Sequence, residues 1–202
     1  MNPVPAPLLL TGHDLVLREW SDEDLAVMSE LFDDPDIAHW TPLESPFDLT
    51  AARRYLDRAR QARRDGERIQ LAITTDGRQA LGEVLLSPVT GVLGYGVGPA
   101  HRGQRLATRA LRVMTEYAHQ ELGLPRLTLK IEADNHASTG VARSAGFRLT
   151  DAAPETVTDK GRDCHLLTWE HRATAGPVGE PTGAAPGFPR VCGTARRPGP
   201  GH

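Results

Sequence analysis

The chain has 202 residues, 39% of them hydrophobic, and a formal net charge of -3. That is enough apolar material for one domain with a real core, and the charge excludes the strongly basic surface expected of a nucleic-acid binder. No apolar run reaches the roughly 18 residues that a membrane span needs, and the first residues lack the basic-then-apolar pattern of a secretory signal.

Pro3, Pro5 and Pro7 make residues 1–12 a loose lead-in. Leu15 to Trp20 reads as a first strand. Ser21, followed by Asp22-Glu23-Asp24, supplies a capping residue and negative charge for a helix start. Leu25, Met28, Leu31 and Phe32 form its apolar stripe, and Asp33-Asp34-Pro35 ends it. After an irregular stretch with Pro42 and Pro46, a second helix runs from Leu49 to Arg64, burying Ala52, Tyr55, Leu56, Ala59 and Ala62. Its six arginines are expected on a solvated face rather than against a partner.

Ile69–Thr74 and Leu81–Leu86 read as a hairpin, and Val92–Val97 as the next strand. Leu106, Ala110, Met114, Ala118 and Leu122 then recur every four residues, the mark of a long helix. Leu127 to Ile131 alternates as a half-buried strand. Asn135 caps a short helix that Gly146 closes. Phe147–Leu149 and Cys164–Trp169 are the last strands, joined by a charged loop. Residues 173–202 hold seven of the 20 glycines and six of the 16 prolines, the composition of a disordered tail. The expected domain is thus 13–172. Its fold class is α/β (α+β), a mixed, mostly antiparallel central sheet with helices on both faces.

Cys164 and Cys192 lack metal-ligand spacing, and the eight histidines form no His-x-x-x-His pair. Free thiols in a reducing compartment and no metal site are expected. The informative stretch is His101-Arg102-Gly103-Gln104-Arg105, between the Val92–Val97 strand and the long helix. Strand, glycine-containing basic turn and helix aim free N–H groups and a helix N-terminus at an anion, with arginines as bidentate donors. The same residues would equally suit an ordinary surface turn.

The turn resembles motif A of the GNAT superfamily of N-acetyltransferases, Arg/Gln-x-x-Gly-x-Gly/Ala. Arg102 fills the first position and Ala107 the last, while Arg105 stands where the family has glycine. Asn135-His136-Ala137-Ser138 and Ala145-Gly146-Phe147 resemble the next motif, and LGYGV with Asn-x-Ala-Ser is most similar to the RimJ/RimL-type branch, which acetylates ribosomal-protein N-termini. The resemblance implies the GNAT layout, in which the fourth and fifth strands splay apart to admit acetyl-CoA. It implies that Arg102, Gly103, Gln104, Arg105, Leu106 and Ala107 hold the pyrophosphate, and that the backbone of Tyr95, Gly96 and Val97 pairs with the pantetheine amide. Asn135 would bond the pantetheine arm from the other side.

Expected chemistry is acetyl transfer to a primary amine, a protein N-terminus or a small molecule, by direct attack in a ternary complex. A GNAT fold reduced to an acetyl-CoA sensor or scaffold is the alternative. Glu83 is the first candidate base, then Glu132 and Asp134, though each also suits a surface carboxylate. The tyrosine that many members use as acid would stand at Ala142 and is absent. The branch pattern instead puts Ser138 near the thiolate, where it could simply support the helix start. His39 and Trp40 are candidates for the acceptor wall, with core packing of Trp40 the competing reading. If Arg105 is to fit, its backbone should be ordinary and its side chain should swing outward over the pyrophosphate. A cytoplasmic enzyme without nucleic-acid or membrane partners is implied, and a homodimer is allowed.

Overall fold

The computed structural model describes residues 7–174. Five antiparallel strands, β1 (Leu9–Gly12), β2 (Leu15–Glu19), β3 (Ile69–Thr74), β4 (Gly82–Leu86) and β5 (Leu93–Val97), pair in that order. A second sheet holds β6 (Arg126–Glu132), β7 (Arg148–Leu149), β8 (Glu155–Asp159) and β9 (Arg162–Arg172). In it β6 pairs with one edge of β9, while β8 and β7 follow one another along the other edge.

Two of these strands depart from expectation. The lead-in stops short of residue 12, because Leu9–Gly12 pairs with β2 across a two-residue turn, His13-Asp14, whose residues both have positive φ (50° and 54°). The charged loop before the last strand is itself a hairpin. β8 and β9 are joined by Lys160-Gly161, again with φ positive at both (48° and 75°). Two successive left-handed residues give the turn whose twist matches an antiparallel pair. The expected disordered tail lies, from residue 175 onward, outside the described residues.

The sheets meet at one point. Val92 forms a parallel bridge with Thr128, whose N–H donates to the Gly91 carbonyl at 2.9 Å. Beyond it β5 stays paired to β4 and β6 to β9, so the two strands part. These are the fourth and fifth strands of the expected order, and the single central sheet is therefore divided there.

The helices are α1 (Leu25–Phe32), α2 (Pro35–Trp40), α3 (Leu49–Arg64), α4 (Leu106–Gln120) and α5 (His136–Ser144). The expected start at Ser21 begins as a 3-10 turn, Asp22–Asp24, before α1. One core lies between α4 and the sheets, where Leu106, Ala110, Leu111, Met114 and Ala118 meet β-strand residues such as Leu17, Leu71, Val84 and Leu129. The other face carries α1 and α3, with Trp20, Phe32, Phe47 and Tyr55 packed edge to face at 5.5–6.3 Å between ring centroids. Truncating such a buried aromatic typically costs about 3–5 kcal/mol.

The α3 arginines are not simply solvated. Arg53 and Arg60 bind Asp22, Arg54 and Arg58 bind Glu44, and Arg63 binds Glu19 at 3.0 Å. Among the described residues no helix is long and apolar enough to cross a membrane.

Candidate active site

A cavity of about 1500 Å³ runs from the N-terminus of α4, through the gap between β5 and β6, to the space under α3. Tyr95, Gly96, Val97, Arg102, Gly103, Arg105, Leu106, Ala107, Asn135, Ser138, Glu83 and Trp40 all line it. Gln104 and His39 lie outside the lining. Gln104 faces solvent, its carbonyl accepting from Arg109 at 3.5 Å, and His39 is exposed edge-on to Trp40, 4.3 Å between centroids.

The turn into α4 has two left-handed residues, Gly103 (φ 81°) and Arg105 (φ 57°). The expectation of an ordinary backbone at Arg105 is therefore wrong. The turn keeps glycine's conformation although its residue is arginine, at a cost on the order of 1 kcal/mol. A left-handed residue directly before Leu106 turns the chain into α4, whose first-turn residues Leu106, Ala107 and Thr108 line the cavity. The Arg105 side chain is exposed, as expected. Arg102, in contrast, is committed elsewhere: its guanidinium binds Asp34 at 2.6 Å and Asp36 at 2.8 Å, at the start of α2.

Past the Val92–Thr128 bridge, the edge of β5 that faces away from β4 has no strand partner among the described residues, which leaves backbone donors and acceptors from Leu93 to Val97 along the cavity wall. β5 comes this close to β4 because residue 82 is glycine. A methyl there would stand 2.4 Å from the Gly96 carbonyl oxygen. Across the gap, Asn135 Oδ1 accepts the Ser138 N–H at 3.0 Å and caps α5, leaving its amide NH₂ as a donor. The Tyr95 hydroxyl spans the gap and donates to the Ser138 carbonyl at 3.1 Å. Burial pushes that phenol up to about 12. Ala142, where the missing tyrosine would stand, is fully buried.

Among the described residues, Glu83 on β4 is the one carboxylate lining the cavity that is buried, at 5% exposure. Trp20 Nε1 donates to it at 3.0 Å and the Tyr55 hydroxyl at 2.6 Å, and Gln70 Nε2 donates to that hydroxyl at 2.7 Å. Burial raises the Glu83 carboxyl to about 7, against the lowering effect of the two hydrogen bonds and of the Arg68 charge. It therefore titrates where a group that takes and returns protons at neutral pH should. Glu132 also lines the cavity, but Arg162 grips it at 2.6 and 2.8 Å and holds its carboxyl below the ordinary carboxylate range. Asp134 is exposed and outside the lining.

Sequence reasoning missed the partners of Glu83 and the helix that roofs the cavity. α2 has an N-cap signature, Asp34 followed by Pro35, and Asp34 accepts the Ile37 N–H at 3.1 Å. Its C-terminal carbonyls are held from the second sheet. Lys160 donates to the carbonyls of Ala38 and of Thr41 (2.9 Å), and Arg162 to that of His39 (2.9 Å). These are cations at the negative end of a helix dipole. The roof is thus tied at both ends across the cleft. Among the described residues no group of three or more His, Cys, Asp or Glu could hold a metal, and Cys164 is a buried free thiol beside Glu132, outside the cavity lining.

Comparison with known proteins agrees with this layout. Residues 14–148 match the family model described as Acetyltransferase (GNAT) domain. An N-acetyltransferase of Bacillus licheniformis, p20, is 24% identical over 170 residues, covering 80% of this chain and 96% of the relative. RimJ of Mycobacterium smegmatis, solved in complex with CoA-disulfide, superposes with a TM-score of 0.72 at 21% identity, covering 83% of this chain and 87% of that one. The ribosomal-protein-S5-alanine acetyltransferase of Vibrio fischeri gives 0.69 at 16% identity, covering 82% and 96%. Such neighbours are in line with the RimJ/RimL-type resemblance, and the family match covers most of the sheet and the whole phosphate-type turn. The chain belongs to the GNAT acetyltransferases.

Proposed function

We propose that the protein is an acetyl-CoA-dependent N-acetyltransferase that acts on a primary amine by direct attack. One observation carries this reading: a single cavity joins the helix-N-terminal turn at Gly103–Ala107 to a buried, near-neutral carboxyl at Glu83. The donor set fits acetyl-CoA. The first-turn N–H groups of α4 and the Arg105 guanidinium suit a pyrophosphate. The free edge of β5 suits the amides of the pantetheine arm, and the Asn135 NH₂ faces them from α5. When bound, acetyl-CoA supplies an acyl group already activated as a thioester.

The chain's own residues then have three tasks. Glu83 accepts a proton from the acceptor amine, directly or through one water, and Tyr55 and Trp20 hold it in place. Backbone N–H groups at the β5 edge stabilise charge developing on the acyl oxygen. Ser138, anchored through the Asn135 cap and the Tyr95 bond, offers a hydroxyl to the departing sulfur. Among the described residues no cysteine lines the cavity, in keeping with a ternary complex rather than an acetyl-cysteine intermediate. Trp40 forms part of the acceptor wall, with His39 behind it.

An α-amino group of pKa near 7.8 is about one-seventh neutral at pH 7, and a lysine near 10.4 is neutral in about one molecule in 2,500. A base with a pKa near 7 is well matched to the former, which favours α-amines. The test is thiol release from acetyl-CoA with a panel of α-amines and ε-amines. Release with α-amines that is lost in Glu83→Gln supports the reading. Saturable acetyl-CoA binding with no release from any amine contradicts it.

A further inference from the structure

The acceptor end of the cavity holds an arginine that its neighbours leave free. Arg58, which also faces this space, is paired with Glu44 at 3.1 Å, and Arg102 with Asp34 and Asp36. Arg68 lines the cavity, is exposed, and takes part in no ion pair among the described residues.

Its position follows from the sheet. Ala72 pairs with Glu83 and Gln70 with Leu85, so directly opposite residues share a face. Arg68, two residues before Gln70, is in step with them and lies level with Ser87. Arg68, Gln70, Glu83, Leu85 and Ser87 all line the same space. Four residues of β4 separate the level of Glu83 from that of Arg68, about 13 Å along the strand. Arg68 is also the charge that bears most on Glu83, and it acts on Tyr55 as well.

Other charges at this end are accounted for differently. Glu44 is neutralised by Arg54 and Arg58, and Asp65 accepts from Gln61 at 2.8 and 3.0 Å. Glu67 is exposed and lines the rim, but its charge is not among those that chiefly shift Glu83. A guanidinium that lines the cavity and takes part in no ion pair among the described residues is a ready bidentate site for a carboxylate.

We propose that Arg68 is a specificity-determining residue that binds a carboxylate of the amine acceptor, about two to three extended residues from the reacting nitrogen. The inference rests on the acetyl-transfer reading above and deepens it. A peptide with an acidic second or third residue meets the requirement, as does a small amine whose carboxylate lies at that distance. Leu85 adds an apolar floor between the two polar groups.

The test uses the full chain, acetyl-CoA and a library of tripeptide amides in which each acidic member has its amide isostere, with amino acids whose amine and carboxylate stand that far apart, and their carboxamides, as the small-molecule arm. Mass spectrometry reads the acid-to-amide ratio among acetylated products. A ratio, rather than a rate, is the readout, because removing the Arg68 charge also alters Glu83 and so affects every acceptor alike. The wild type is expected to favour acids by about tenfold, the worth of one charge-assisted contact. The ratio should fall to near one in Arg68→Met and below one in Arg68→Glu. A wild-type ratio near one, or a preference that survives both substitutions, overturns the proposal.

Equilibrium dialysis of the same library against CoA-loaded protein gives a readout without turnover. Selective retention of acids by the wild type but not by Arg68→Met supports the anion site even if no product forms, in which case the failure lies with the acetyl-transfer reading. Equal retention by both overturns it.

Discussion

The two ends of the cavity are built from different materials. The end at α4 is made of backbone: a turn with two left-handed residues, a helix N-terminus and a strand edge released where β5 leaves β6. The end under α3 is made of side chains drawn from distant parts of the chain, with Glu83 of β4 held by Trp20, which follows β2, and by Tyr55 of α3. Backbone sites tolerate sequence change as long as the path of the chain survives. Side-chain sites fail when one partner is lost. That difference explains how an arginine can occupy the glycine position of the turn, and it predicts unequal sensitivity to mutation.

The largest expected effect is at Glu83. Glu83→Gln should lower kcat/KM by about 10²–10⁴-fold, while acetyl-CoA affinity by calorimetry changes little. Its stability should also respond to pH in a defined direction. The folded protein binds the Glu83 proton more tightly than the unfolded chain, about 7 against 4.5. The neutral acid therefore adds stability that is fully present below 4.5 and is lost as pH rises through 7. Relative to wild type, Glu83→Gln should gain on the order of 3 kcal/mol between pH 4 and pH 9, read from denaturant midpoints.

Tyr55→Phe sharpens the same contrast. The Tyr55 hydrogen bond lowers the Glu83 carboxyl, so its loss should move the acidic limb of the pH–rate profile to higher pH. Activity should drop several-fold at pH 7 and largely recover near pH 9. An unmoved limb would mean that Glu83 is not the group being titrated.

Asp34→Ala probes the link between the two ends, since Asp34 both caps α2 and holds Arg102. Loss of the cap is expected to cost about 1 kcal/mol. With the roof loosened, the acceptor KM should rise while acetyl-CoA affinity holds or improves, because Arg102 is then held by Asp36 alone. Equal losses at both ends would break the distinction.

Smaller effects are expected at Arg105. Arg105→Gly removes the cost of a left-handed arginine but adds freedom to the unfolded chain, for a net change within about 1 kcal/mol. Arg105→Ala keeps the strain and drops the charge. If the guanidinium contacts the pyrophosphate, both should weaken acetyl-CoA binding a few-fold in titration calorimetry. Unchanged binding by Arg105→Ala would instead assign coenzyme binding at this turn to the backbone alone.

The contrast also explains what could be read from the chain. The limits of α3, β3 and α4, the Asn135 cap and the turn after Pro99 follow from periodicity and from capping or glycine residues close in sequence. Glu83 stands out only through its place on the strand next to the splayed pair, which the resemblance implies, and only as the first of three carboxylates. Its burial depends on Trp20 and Tyr55, 63 and 28 residues away, and no local pattern records such a meeting. β1 is a four-residue edge strand, too short for alternation to show, and β8 has a single apolar residue, Val157, so that only their two-residue turns mark them. α2 was marked by Asp34-Pro35, a signal masked by the same residues' reading as the end of α1.

The account stands or falls on a proton held at Glu83 beside a coenzyme seated at α4. The direct measurement is the pH dependence of kcat/KM for thiol release with an α-amine acceptor, in wild type and in Glu83→Gln, after acetyl-CoA binding by both has been shown. The prediction is a rate that climbs with pH through about 7 in the wild type and a low rate without that limb in the variant. A variant that retains both the wild-type rate and its pH limb would contradict it.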